Sequence, residues 1–148
     1  MNAIMDQLVF SEMTEASALP RVFPVLQQLR PALTSLEQLE AYWQRVRPAG
    51  YRLLTVEKAG EVVAVASFRI QENLVHGRYL YLEDLVCDAT VRRLGIGEAI
   101  MQQCRMIAET SGCAKIVLDT GLNNPLAHRF YYRQGLLASS LRFQQVLA

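Results

Sequence analysis

The run Arg92-Arg93-Leu94-Gly95-Ile96-Gly97 lies between an apolar, strand-like stretch, Tyr79 to Cys87, and a segment of helical periodicity that begins near Gly97. That order makes it a strand-to-helix anion loop. Glycine at 95 and 97 allows close approach of a ligand to the backbone and dihedrals that a side chain would hinder, so successive N–H groups turn toward one point. The first turn of the following helix adds N–H groups without intrahelical partners and a partial positive charge. Phosphate is the natural guest of such a loop.

Three kinds of phosphate loop have glycines in this place. A nucleoside-triphosphate loop ends in Gly-Lys-Ser/Thr, but Gly97 is followed by Glu98 and Ala99, which offer neither an ammonium nor a hydroxyl. A dinucleotide loop has a third glycine where this chain has Ile100, although Asp119 mimics the ribose-binding carboxylate of that fold. Too little chain follows Gly97 to build the remaining strand-helix units, so this stays a weak alternative. The third is the R-x-x-G-x-G loop of acyl-coenzyme A transferases, matched by Arg92, Gly95 and Gly97.

Residues outside the loop extend that match. Tyr81-Leu82-Glu83-Asp84-Leu85-Val86 precedes it, and Asn124-Pro125-Leu126-Ala127-His128-Arg129-Phe130-Tyr131 follows it, closed by Gly135-Leu136. With these motifs, which cover residues 79 to 137, the chain resembles the GNAT superfamily of acetyl-CoA-dependent N-acyltransferases. It departs from the family pattern at Arg93, where glycine is frequent, at Cys87 and Ala89, where valine and proline are usual, and at Leu136, where phenylalanine is usual.

Composition removes other classes. The chain has 148 residues with 51% hydrophobic, enough for the core of one compact domain spanning 1–148. Fifteen basic and fourteen acidic residues give a formal charge of +1, with no basic run interleaved with aromatics, so nucleic acid is not an expected partner. No stretch approaches the roughly 18 apolar residues that span a bilayer. The stretch from Met1 to Phe10 carries Asp6 and lacks the basic start of a secretion signal, so a soluble cytoplasmic protein is expected. Cys87, Cys104 and Cys113 form no CxxC pair and no cluster with His76 or His128, so no metal is expected.

Periodicity orders the elements. Gln7 to Met13 reads as a strand, and Thr14 to Arg30 as helix interrupted at Pro20 and Pro24. Ser35-Leu36-Glu37-Gln38 resembles a capping box opening a helix to Arg47 with Leu36, Leu39, Tyr42, Trp43 and Val46 on one stripe. Tyr51 to Lys58 and Glu61 to Ile70 form a hairpin through Ala59-Gly60, followed by a polar loop from Gln71 to Gly77 and the strand Tyr79 to Cys87. The helix after the anion loop aligns Ile96, Ile100, Cys104, Ile107 and Ala108. Lys115 to Thr120 reads as a buried strand, Asn124-Pro125 as a helix start, Gly135 as its stop, and Ala138 to Val146 as a final strand. The expected fold is α/β, a mixed sheet flanked by helices, as in GNAT acyl-CoA N-acyltransferases.

The resemblance implies roles. Acetyl-CoA is the acyl donor; its pyrophosphate falls to Arg92, Arg93, Leu94, Gly95, Ile96 and Gly97, and its pantetheine arm to the backbone of Leu85, Val86 and Cys87, with Asn124 beside it. An amine must lose a proton to attack a thioester, and the departing thiolate must gain one. Glu83 is the candidate base, acting directly or through water, or else a structural carboxylate paired with a basic neighbour. Side chains alternate along a strand, so Glu83 and Asp84 are not expected to face the same cleft. Tyr131 is the candidate acid, as the tyrosine of the F-Y pair, and Arg129 and Arg133 are read as solvated. The acceptor is expected to be a primary amine, of a small polyamine or amino compound or of a peptide N-terminus or lysine, but which of these is not legible, and a homodimer through the C-terminal strand is expected by family analogy. The rival reading is a non-catalytic acyl-CoA-binding regulatory module. A pure binder needs only the loop, so Glu83 together with Tyr131 favours an enzyme.

Overall fold

The computed structural model describes residues 7–148. Its strands are β1 (Leu8–Glu12), β2 (Arg52–Lys58), β3 (Glu61–Asn73), β4 (Gly77–Cys87) and β5 (Lys115–Leu118). Its α-helices are α1 (Leu19–Leu29), α2 (Leu36–Val46), α3 (Ile96–Thr110) and α4 (Pro125–Arg133). The five strands form one sheet in the order β1-β2-β3-β4-β5, with β1 to β4 antiparallel. The chain divides into two compact units, one ending at Val117 and one running from Leu118 to Ala148.

Local chemistry accounts for most boundaries in the first unit. Ala59 and Gly60 both adopt positive φ, 53° and 80°, the conformation that matches a two-residue hairpin to strand twist and sets β2 against β3. Ser35 caps α2 by accepting from Gln38 N–H at 3.1 Å. The Gln38 side chain reaches back one residue further than a capping box requires, accepting from Thr34 N–H at 2.8 Å. In α1, Pro20 stands in the first turn, where no N–H is needed, whereas Pro24 lies inside a continuous helix and forfeits one bond without ending it.

Burial follows the stripes. Leu19, Val22, Val25 and Leu26 of α1 and Leu39 and Trp43 of α2 close over Tyr51, Leu53, Val62, Val65 and Val86 of the sheet. Residues alternate along β3, so Val65, Ser67 and Arg69 share this helix-covered face, while Ala64, Ala66 and Phe68 point the other way. In α3, Ile96, Ile100, Cys104 and Ala108 are buried as expected, together with Ala99 and Met101.

Several expectations need correction. The polar loop shrinks to residues 74–76, because β3 and β4 continue pairing outward through Gln71↔Tyr79, Glu72↔Arg78 and Asn73↔Gly77; polar residues are no obstacle where a ribbon leaves the core. β5 ends at Leu118 and is exposed or half-buried throughout, not buried. Residues 138–146 form no strand: an alternating sequence supplies a face but not the neighbouring strand needed to pair it, and Leu141, Phe143 and Val146 stand exposed.

Candidate functional site

The residue pairing of β3 with β4 breaks at one point. Ser67 pairs with Asp84 and Phe68 with Leu82, leaving Glu83 as the extra residue of a β-bulge. A bulge resets the alternation. Asp84 lies opposite Ser67 on the face covered by α1 and α2, and Glu83 joins it there, contrary to the expectation that the two carboxylates diverge. Ser67 Oγ donates to Asp84 Oδ2 at 2.6 Å, and Arg30 Nε, from the end of α1, donates to Asp84 Oδ1 at 2.7 Å. Arg30 also donates to the Glu83 carbonyl at 3.2 Å.

Glu83 has its own cation. Arg69 Nε lies 2.6 Å from Glu83 Oε1, with the two side chains 20% and 18% exposed. The contact is close but badly aimed: this buried Nε–H meets no acceptor in hydrogen-bond geometry. The basic-neighbour arrangement is therefore present, and it leaves proton transfer open. Burial raises the Glu83 pKa, Arg69 pulls it down, and Asp84 adds to the rise. Tyr42 stands against the same pair, its phenol pKa raised by burial and by Glu83. Tyr51 meets Tyr42 edge to face at 5.6 Å between ring centroids and carries Arg69 over its ring at 5.7 Å. Its hydroxyl lies near Ser67, yet among the described residues it makes no hydrogen bond of acceptable geometry.

Leu85, Val86 and Cys87 pair on one side with Ala66, Val65 and Ala64. On the other side β5 enters low: Ala114 N–H donates to Arg78 O at 2.7 Å, and the strand that follows is four residues long. Four residues span about 13 Å, whereas β4 from Arg78 to Leu85 runs roughly 23 Å. β5 therefore stops short of the upper end of β4. Cys87 is half-buried, and burial raises its thiol pKa against the pull of Arg92; its carbonyl accepts from Arg92 Nε at 3.2 Å.

The loop after β4 is tied down before it reaches the glycines. Asp88 accepts from Thr90 N–H at 2.9 Å and Thr90 Oγ1 at 2.6 Å, and these bonds, with one from Gln28, lower its pKa. Gln28 of α1 is the brace: its amide donates to Asp88 Oδ2 at 2.8 Å and accepts from Ala89 N–H at 3.0 Å. The same oxygen accepts from Arg92 at 3.4 Å. Arg93 has a φ of 67°, a left-handed conformation that explains why glycine suits that position. Gly95, at φ 85°, is the N-cap of α3 and has no side chain to bond the first turn, so N–H groups of Ile96, Gly97 and Glu98 lack intrahelical acceptors. Leu94 is half-buried between them.

Asn124 and Tyr131 belong to the second unit. Asn124 Oδ1 caps α4 by accepting from Ala127 N–H at 3.2 Å, with Pro125 in the first turn. Tyr131 is half-buried and packs edge to face on Phe130 at 5.2 Å. His128 Nε2 lies 2.7 Å from Gly121 O, which makes it a loop fastener; His76, on the β3–β4 turn, lies 3.3 Å from Lys115 Nζ. Asp119 pairs with Arg142, and the mostly antiparallel sheet order excludes the dinucleotide fold it mimicked. Among the described residues no group of three or more His, Cys, Asp or Glu side chains gathers as metal ligands.

Sequence reasoning passed over Gln28, Arg30, Tyr42, Tyr51, Ser67 and Arg69 as functional residues. Their positions depend on a bulge and on packing between elements distant in sequence. Ser67 and Arg69, two apart on a strand otherwise rich in valine and alanine, were the available signal.

Carboxylates on a bulged central strand, a braced turn and an anion loop opening a helix define a class of α/β acyltransferases. The family model for GNAT acetyltransferases matches residues 17–136. An uncharacterized N-acetyltransferase, YhdJ of Bacillus subtilis (strain 168), is 28% identical over 83% of this chain and 87% of its own length. The aminoalkylphosphonate N-acetyltransferase of Salmonella typhimurium is 32% identical over 66% of this chain and 62% of its own. The crystal structure of a Trypanosoma brucei acetyltransferase superposes with a TM-score of 0.77 at 26% identity, covering 95% of this chain and 99% of that one. An aminoglycoside N-acetyltransferase, AAC(6')-Iy in complex with CoA, shares the fold at a TM-score of 0.82 and 16% identity, over 95% of each chain. The chain belongs to the GNAT acetyltransferase family, and it is an acetyl-CoA-dependent enzyme that moves an acetyl group to an amine.

Proposed function

We propose that residues 1–148 act as one cytoplasmic acetyltransferase domain on a small primary amine, by direct attack of the amine on the bound thioester. The observation that carries this reading is the start of α3, where Arg92 is braced by Gln28 and the Cys87 carbonyl beside N–H groups that no intrahelical acceptor satisfies. Arg92, Arg93, Leu94, Gly95, Ile96 and Gly97 hold the pyrophosphate of acetyl-CoA. The backbone of Leu85, Val86 and Cys87 receives the pantetheine amides as an added strand, and Asn124 is assigned to binding the same cofactor.

Glu83 takes a proton from the incoming ammonium, directly or through water, and its raised pKa suits it to that work. The amine nitrogen bonds to the thioester carbon, and the tetrahedral intermediate collapses with loss of the C–S bond. Tyr131 protonates the departing sulfur, and the second proton, lost from the acetylated nitrogen to solvent, balances the one that restores the Tyr131 phenol. The chemistry needs no metal, and nucleic acid is not its acceptor. Small acceptors fit the relatives, one of which acts on aminoalkylphosphonates and others on glucosamine 6-phosphate. The three free cysteines suit a reducing compartment. The active species is a homodimer built through the C-terminal segment, where Leu141, Phe143 and Val146 stand exposed.

Incubation with acetyl-CoA and a panel of amines, read by release of free thiol, tests the reading. Amine-dependent thiol release with a matching acetylated product is expected. Thiol release that ignores the amine would contradict it.

A further inference from the structure

The ion pairs around Glu83 are unequally committed. Asp84 has both oxygens engaged, one by Arg30 and one by Ser67, and Arg30 spends its remaining reach on the Glu83 carbonyl. Arg69 Nε and Glu83 Oε1 meet at 2.6 Å, but that Nε–H is not aligned for a hydrogen bond. A guanidinium has five N–H donors in a planar fork; Glu83 and the Tyr42 phenol stand against this one, and the Tyr51 ring lies beneath it. Both side chains are about four-fifths covered, 20% and 18% exposed, yet still open to solvent.

We propose that the acceptor is a zwitterion, a small primary amine carrying its own carboxylate, phosphonate or phosphate a few bonds away, whose amine goes to Glu83 and whose acidic group goes to Arg69. This rests on the reading of Glu83 as the acceptor-side carboxylate. A largely covered ion pair is costly to break from one side, because the partner left behind is a desolvated charge with no counterion. An amine with no acidic group would take Glu83 and strand Arg69. A zwitterion exchanges partners instead: each protein charge trades one counterion for another, and the badly aimed Arg69 contact gives way to a bidentate one.

Two further features agree. The four charged groups, Arg30, Arg69, Glu83 and Asp84, sum to zero, so this surface offers a polycation no net attraction. The Tyr51 hydroxyl, on a residue 3% exposed and without a hydrogen-bond partner among the described residues, is a neutral donor beside the guanidinium stacked on its ring.

The test compares simple alkylamines, diamines and the ω-amino acids or aminoalkylphosphonates of equal chain length. Each is measured for equilibrium binding to the coenzyme A-loaded protein by calorimetry and for thiol release from acetyl-CoA. The acid-bearing amines should bind at least tenfold more tightly than the matched alkylamine, and the diamines no better than it. Arg69→Gln should erase that margin, Arg69→Lys should restore part of it, and thermal melting should show both variants folded. Equal binding of all three classes, or a margin that survives Arg69→Gln, would overturn the proposal while leaving the enzyme intact. Selective binding of the acid-bearing amines without turnover would support the zwitterion site and remove Glu83 as the base.

Discussion

At the scale of single residues, two proton carriers, Glu83 and Tyr131, decide the proposed chemistry. Glu83 is pushed up by burial and held back by Arg69. Removing Arg69 deletes the lowering influence and leaves burial and Asp84, both of which raise. The acidic limb of kcat/KM reports the protonation of a base in free enzyme, so in Arg69→Gln that limb should move to higher pH. A limb that stays in place assigns the base elsewhere. Tyr131→Phe keeps the ring that packs on Phe130 and deletes the hydroxyl. General acid catalysis contributes typically about a hundredfold or more, so turnover on a true acceptor should fall by about that factor with acetyl-CoA affinity retained. A fall within about twofold would assign the proton to water, since a merely structural hydroxyl is worth about 1 kcal/mol of stability.

At the scale of elements, the β3–β4 pair and the turn after it do most of the positioning. Gln28 links α1 to Asp88, Ala89 and Arg92 at once. Gln28→Ala should loosen the approach to α3 and raise the KM for acetyl-CoA several-fold, with kcat at saturation nearly unchanged; an unchanged KM would show that Arg92 needs no brace. What the sequence disclosed of these elements follows from how local each signal is. The Ser35 cap, the Ala59-Gly60 turn, the apolar stripe of α3 and the glycines that open α3 are written in adjacent residues, and each is in the structure. The bulge at Glu83 is not local: it is one extra residue on β4 relative to β3, invisible until the register of two strands is known. The alternation rule then placed Glu83 and Asp84 on opposite faces, and Arg69 and Arg30 went unseen as their partners. The strand expected at 138–146 failed for the related reason that pairing needs a partner the segment itself does not specify.

At the scale of the whole molecule, that C-terminal segment carries the expected assembly. Leu137, Leu141, Phe143, Val146 and Leu147 are all more than 60% exposed, an apolar run of the kind that marks an association surface. Light scattering should give twice the 16.7 kDa chain mass, and truncation after Leu136 should return it to one; a monomer across all concentrations would remove the dimer. The loop from Arg92 to Gly97 is the proposed seat of the acetyl-CoA pyrophosphate. Titration calorimetry with coenzyme A, on the unaltered protein and on Gly97→Val, tests that assignment most directly. The variant puts a branched side chain in the first turn of α3, where the phosphates must approach the backbone. Saturable binding to the unaltered protein and at least a hundredfold loss in Gly97→Val at an undiminished melting temperature are expected, whereas equal affinity in a folded variant would place the pyrophosphate elsewhere.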